Sequence, residues 1–321
     1  MPACLRCHQA PGFLGSISFN KQTGRCGKCE KEVRQALVEF RKHFFDIASD
    51  SIITDAEFSG LQRAAGHLNL DVNEAFTYIR GDVLHFIERS LTFFFADRAI
   101  DDDEEQYIKT ILQLFQVPAE QGAPILHRLN YLKLLTNIRR GILPTVDARV
   151  HLESDEVCHL NMGATFYKVN AKSVTQVPGR LIATNKKLYF ISPAGGWDIQ
   201  WKRIMQIERG GGGLYLQLST KKGNGHYDVT DPMLAEAVLE TLVKIANRGL
   251  VTQAADTASR HIPQNVRSAV WQRDQGKCVQ CAAASYLEFD HIIPFSKGGA
   301  STVNNVQLLC RKCNLAKGSR L

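Results

Sequence analysis

No apolar run in this chain approaches the ~18 residues that a membrane-spanning helix needs, and the longest candidate, around Leu91 to Ala96, is far too short. The opening residues MPACLRCHQAPG lack the apolar centre of an export signal, so a cytoplasmic protein is expected. The glycine run Gly210 to Gly213 is not followed by Gly-Lys-Ser/Thr, which removes a phosphate loop. Disulfides are missing for a different reason: in a reducing compartment the nine cysteines do not form a disulfide framework. Eight of them fall instead into four Cys-x-x-Cys pairs, a pattern that points to metal. Cys158 is left over and reads as a small buried apolar residue.

What is present belongs to a folded protein of several domains: 321 residues, 44% apolar and 22% charged. The net charge of +7 is unevenly spread. From Arg260 onward nine basic residues face three acidic ones, a net of +6, and the preceding 259 residues carry only +1. A local excess of that kind suits a phosphate backbone.

Cys4, Cys7, Cys26 and Cys29 have the spacing of a zinc ribbon, assigned to residues 1–30. Cys4-Leu5-Arg6-Cys7-His8 also fits a haem-attachment pattern, but the second knuckle favours zinc. So short a segment cannot bury enough apolar surface alone, so metal would hold it together. Residues 31–146 read as helical, with Val33, Leu37, Phe40 and Phe44 on one face and a capping box at Thr54 and Glu57. Asp50, Ile53, Glu57, Leu61, Ala65 and Leu68 recur 47 residues later as Asp97, Ile100, Glu104, Ile108, Leu112 and Phe115. This doubled Asp-x-x-Ile-x-x-x-Glu arrangement resembles the tellurite-resistance TerB-like helical domains. The acidic run Asp101 to Glu105 is read as a first helical turn, because no glycine follows at a calcium-loop spacing.

Over residues 147–248 the period changes to two. Strands are expected at Arg180–Ala183 and Lys187–Ile191, within Trp197–Ile207, and where Leu214, Leu216 and Leu218 alternate with polar partners. Asp231-Pro232 opens a helix with Leu234, Val238, Leu242 and Ile245 on one face. The segment Gly179-Arg180-Leu181-x-x-Thr184-Asn185-x-x-Leu188-x-Phe190 resembles pleckstrin-homology-type, GRAM-like domains. Lys186, Lys187, Lys202 and Arg203 read as a solvated face, and membrane lipid is not an expected partner. Residues 249–259, small and polar, form the linker, and Pro263 starts a helix through Val266, Val270 and Trp271.

The last segment, 260–321, is of a size at which an apolar core alone is marginal. Cys278, Cys281, Cys310 and Cys313 around one Zn²⁺ would contribute on the order of 10 kcal/mol, so these cysteines are read as structural. Asp290, His291, Asn305 and Asn314 are then unexplained. A hairpin crossed by a helix would bring Asp290 and Asn314 together, oxygen donors that suit Mg²⁺ or Mn²⁺. His291, whose side chain titrates near neutrality, would stand beside them as a general base. Successive strand residues point to opposite faces, so a local bend is expected at Asp290-His291.

These residues together, with Arg273-Asp274, Ile292-x-Pro294, Gly298-Gly299, Gln307-Leu308 and Lys317, resemble the HNH endonucleases, more narrowly their four-cysteine, restriction-type branch with the ββα-metal fold. The resemblance implies that His291 deprotonates the attacking water, that Asp290 and Asn314 hold the ion, and that Asn305 orients the imidazole. It makes Lys317, Arg311, Lys312 and Arg320 candidate backbone-phosphate contacts. The expected fold is multidomain α+β: zinc ribbon, helical bundle, PH-like β domain with a C-terminal helix, and a small zinc-stabilised ββα-metal nuclease domain. The expected function is metal-dependent cleavage of double-stranded DNA, with upstream domains targeting or regulating it, through a protein partner or in defence against phage. The alternative is a zinc-stabilised DNA-binding adaptor that does not cut.

Overall fold

Helix α1 (Gly27–Ile47) begins inside the first cysteine cluster and buries Cys29, Val33, Leu37, Phe40 and Phe44, the stripe that the spacing predicts. The computed structural model describes residues 3–10, 18–170, 173–247, 262–294 and 300–318. The linker 249–259 and the expected turn Ser296-Lys297-Gly298-Gly299 lie outside these, as do Arg260 and Arg320. The chain is mixed α+β and divides into two compact units. One joins residues 1–129 to 262–321; the other is 130–261. Among the described residues no helix is long and apolar enough to cross a membrane.

In the first unit α1 is followed by α2 (Asp55–His67), α3 (Val72–Phe94), α4 (Asp102–Leu114) and the start of α5 (Ala119–Arg139). The sequence repeat is a repeat of geometry. Asp50 Oδ1 accepts from Ile52 N at 3.1 Å, and Asp97 Oδ1 accepts from Ala99 N at 3.1 Å. Each turn leads into a complete capping box, Thr54 with Glu57 on α2 and Asp101 with Glu104 on α4. Two orphan backbone donors are satisfied at each helix start. The acidic run is the first turn of α4, where carboxylates meet the positive end of the helix. Phe115 anchors the bundle core, 5.2 Å from the rings of both Phe58 and Phe76 and 5.7 Å from that of Phe44.

The remainder of this unit is α7 (Gln264–Arg273), an antiparallel pair β8 (Leu287–His291) and β9 (Val306–Cys310), and α8 (Arg311–Lys317). It packs directly on the helices. Phe93 of α3 meets Trp271 at 5.1 Å and Phe289 at 6.0 Å, both edge to face. Arg267, 2% exposed on α7, pairs with Glu104 at 2.9 Å and Asp97 at 3.4 Å. A lone arginine on a short helix reads as a surface residue, so the sequence does not announce this buried pairing.

The second unit is built on one curled antiparallel sheet in the order β4-β3-β2-β1-β7-β6-β5. Its strands are β1 (Cys158–Asn170), β2 (Ser173–Thr184), β3 (Lys187–Ile191), β4 (Trp197–Gln200), β5 (Ile204–Gly210), β6 (Gly213–Leu218) and β7 (Gly225–Val229). β1 and β7 were not anticipated. Cys158, Leu160, Met162, Ala164 and Phe166 alternate as the buried face of β1, and Cys158 packs with Ala148 and Ile182. Gly211 and Gly212, at φ 62° and 83°, make the β5–β6 turn, the left-handed backbone that a two-residue hairpin requires. Helix α6 (Pro232–Ala246) starts at Asp231, which caps Leu234 N at 3.0 Å. Its packing differs from the expected face. Ile245 is 43% exposed, while Ala235, Glu236 and Leu239 are buried. The helix turns a broader side inward, and the Glu236 carboxylate finds Arg209 there. Lys186 is held by Glu153 at 2.8 Å and also by Asp155.

Candidate functional site

Two clusters of four thiols are present, Cys4/Cys7/Cys26/Cys29 and Cys278/Cys281/Cys310/Cys313, each with its sulfurs within 4.8 Å of one another. A tetrahedron of ~2.3 Å Zn–S bonds has edges of about 3.8 Å, so both cages fit zinc. The two are built alike. In the first pair of each, a turn closes between Cys4 O and His8 N, or between Cys278 O and Ala282 N, at 2.8 Å in both. The residue after the knuckle lies in the left-handed region, His8 at φ 56° and Ala282 at φ 58°. The second pair opens a helix, with Cys26 at the residue before α1 and Cys310 at the residue before α8. Backbone N–H groups of Cys7 and Cys26 hold the Cys4 thiol down to about 6. Burial opposes the same effect at Cys278, but amides of Cys310, Gln280 and Cys281 still lower it to about 6. Such amides stabilise thiolate, the form that binds metal.

Between its two knuckles the second cluster frames the β8–β9 pair. Asp290 stands opposite Gln307 and His291 opposite Val306. Alternation on β8 divides the work. Leu287 and Phe289 are buried, whereas Glu288 and Asp290 point to the other face. There they meet Arg311, Asn314 and Lys317, spaced three apart along one side of α8. Arg311 donates to Glu288 Oε1 at 2.9 Å, and Asn314 Nδ2 donates to Glu288 Oε2 at 2.6 Å. Asp290 Oδ2 receives both Lys317 Nζ at 2.8 Å and Gln307 Nε2 at 2.9 Å. Lys317 also donates to His291 O at 2.7 Å.

His291 ends the strand, and the chain bends at Ile292-Ile293. Its Nε2 lies 3.0 Å from Ser301 Oγ. Burial lowers the imidazole pKa below its ordinary value; the Asp290 carboxylate opposes this and Lys317 adds to it. The ring is therefore disposed to be neutral, the form that accepts a proton.

Two expectations change. Asn305 does not reach the imidazole: its Oδ1 accepts from Ile293 N at 2.9 Å, and its Nδ2 donates to Ala300 O at 2.9 Å and Ile293 O at 3.2 Å. It braces the backbone just after His291, because the hairpin register puts it beside that bend. Arg311 and Lys317, expected at phosphates, are turned inward by Glu288 and Asp290. Lys312 remains exposed. Arg273 and Asp274, quoted from sequence without a role, staple α7 to β9. Asp274 accepts from Leu308 N at 2.9 Å, while Arg273 donates to Val306 O at 2.8 Å and Val303 O at 2.6 Å. Glu288 was missed altogether, although its position two residues before Asp290 places both on one strand face.

A strand pair and a helix thus carry an acid, an amide and an imidazole between two cysteine knuckles. The HNH endonuclease family matches residues 278–320, which hold the second cysteine cluster and all of these side chains. This segment is an HNH endonuclease domain within a longer chain. No curated protein matches the chain.

Proposed function

We propose that the chain is a metal-dependent endonuclease that hydrolyses phosphodiester bonds of double-stranded DNA. The observation that supports this reading is the packing of α8 on β8 beside a four-thiol cage, with Asn314 held by Glu288 and Asp290 held by Lys317 on the strand that ends at His291. Asp290 has Oδ2 engaged by Lys317 and Gln307, and Asn314 has Nδ2 engaged by Glu288, so the Oδ1 atom of each is the one to offer an ion. Carboxylate and amide oxygens are hard donors, fitted to Mg²⁺ or Mn²⁺. Held there, an ion would offset charge on the scissile phosphate and the departing 3′ oxygen. His291 takes the proton of the attacking water, and its lowered pKa keeps it ready to do so at neutral pH. Ser301 Oγ and the loop braced by Asn305 fix where the ring stands. Lys312 contacts the DNA backbone, as does Arg320 at the far end of the segment. The eight paired cysteines hold structural zinc and take no part in cleavage. The upstream domains target or regulate cutting, through a protein partner or in defence against phage.

Plasmid DNA incubated with the protein and Mg²⁺ or Mn²⁺ is expected to be nicked or linearised. His291→Ala should retain both zinc ions and bind DNA, yet cut at least ~100-fold more slowly. Equal cutting by this variant overturns the mechanism, and DNA binding without cutting by the wild type selects the adaptor reading.

A further inference from the structure

We infer that Glu288 is a positioning residue, which holds the Asn314 side chain so that its amide oxygen, and not its nitrogen, faces the ion. The inference rests on the metal site proposed above and adds a residue to it. Glu288 is two residues before Asp290 on β8, on the same face. Its Oε2 lies 2.6 Å from Asn314 Nδ2, and its Oε1 receives Arg311 at 2.9 Å.

The chemistry of the partners fixes the orientation. An ionised carboxylate only accepts hydrogen bonds, so the atom that Asn314 turns toward Glu288 must be its NH₂ group. A planar amide with its nitrogen committed on one side presents its carbonyl oxygen on the other. An asparagine without that tether could equally present the nitrogen, which is no ligand. Arg311 is itself buried and has only donors, so it fixes the carboxylate from the opposite oxygen. The chain Arg311–Glu288–Asn314 thus transmits a defined direction to the last atom.

The arrangement makes a specific demand on substitutions. In Glu288→Gln a single oxygen remains, and Arg311, which carries donors only, takes it. The new NH₂ group then faces Asn314, which must flip and turn its nitrogen to the ion. Asn314→Asp repairs the fault, because a carboxylate accepts from the glutamine on one side and keeps an oxygen for the ion on the other.

The test is calorimetric titration of zinc-loaded, full-length protein with Mn²⁺, alongside zinc content and the melting temperature. Glu288→Gln and Glu288→Ala should each weaken Mn²⁺ binding by ~10–100-fold, the usual effect of removing an outer-shell partner. Zinc content should stay at two per chain. Asn314→Ala should lose as much, and Glu288→Ala added to it should lose nothing further. The double variant Glu288→Gln/Asn314→Asp should return to within a few-fold of wild type. Wild-type affinity in Glu288→Gln overturns the inference, as does full additivity with Asn314→Ala or failure of the double variant to recover. If the wild type itself binds no Mn²⁺, or Asp290→Ala leaves binding intact, the metal site falls rather than the role of Glu288.

Discussion

Ala282 shows how a single residue records the demands of a metal cage. It closes the Cys278 turn at φ 58°, where a side chain costs about 1–2 kcal/mol. Glycine there loses that penalty but costs more entropy on folding, so Ala282→Gly should raise stability by roughly 0.5–1 kcal/mol. A melting curve on the zinc-loaded protein reads the effect, and an unchanged or lowered midpoint counts against it. The cysteines were legible because a fixed x-x spacing has one dominant chemical explanation. The directions of Lys317 and Arg311 were not. A basic residue near a DNA-cutting motif reads as a phosphate contact, and only the fold reveals the carboxylates two strand positions apart that claim them.

Among the elements, α7 has the most to lose from one substitution. Arg267 is buried against Glu104 and Asp97, and removing it takes the shared cation from two carboxylates. Arg267→Ala should cost about 3–5 kcal/mol, read by denaturant unfolding of the whole chain. Glu104 also gives this contact a pH dependence. Burial pushes its pKa up to about 7 from an ordinary 4.5, although Arg267 pulls the other way. A raised carboxyl contributes stability that is full below pH 4.5 and is lost as the pH rises through about 7. Glu104→Gln should flatten the stability profile across that window, and a profile that keeps its slope refutes the assignment. The helices α1, α2 and α4 were readable because a 3.6-residue stripe and a capping box are local signals. Strand β1 carries an equally regular alternation, but Gly163 and short polar residues interrupt its apolar character. The face of α6 was misjudged because a buried Glu236 cannot be recognised until Arg209 is seen beside it.

At the scale of the molecule, the HNH segment shares a unit with the first cysteine cluster and the helices that follow it, residues 1–129 with 262–321. Phe289 on the strand that carries Asp290 rests on Phe93 of α3. A fragment of residues 260–321, even with zinc, exposes Trp271 and Phe289 and leaves Arg267 unpaired. It should melt well below the full chain or aggregate, as circular dichroism and light scattering would report. A fragment as stable as the intact protein would show that the bundle is dispensable. Sequence alone offered a modular picture because motifs are local, whereas the Phe93–Trp271–Phe289 cluster joins residues far apart in the chain.

That discontinuity also sets a timetable. At ~5–20 residues per second, a ribosome spends on the order of 10 s on residues 130–261 after the helices of the first unit have emerged. Through that interval Phe93 waits for Trp271 and Phe289, and Asp97 and Glu104 wait for Arg267. A polypeptide released during that interval carries the helices of the first unit without Arg267, Trp271 and Phe289, the side chains that close it from the other end of the chain.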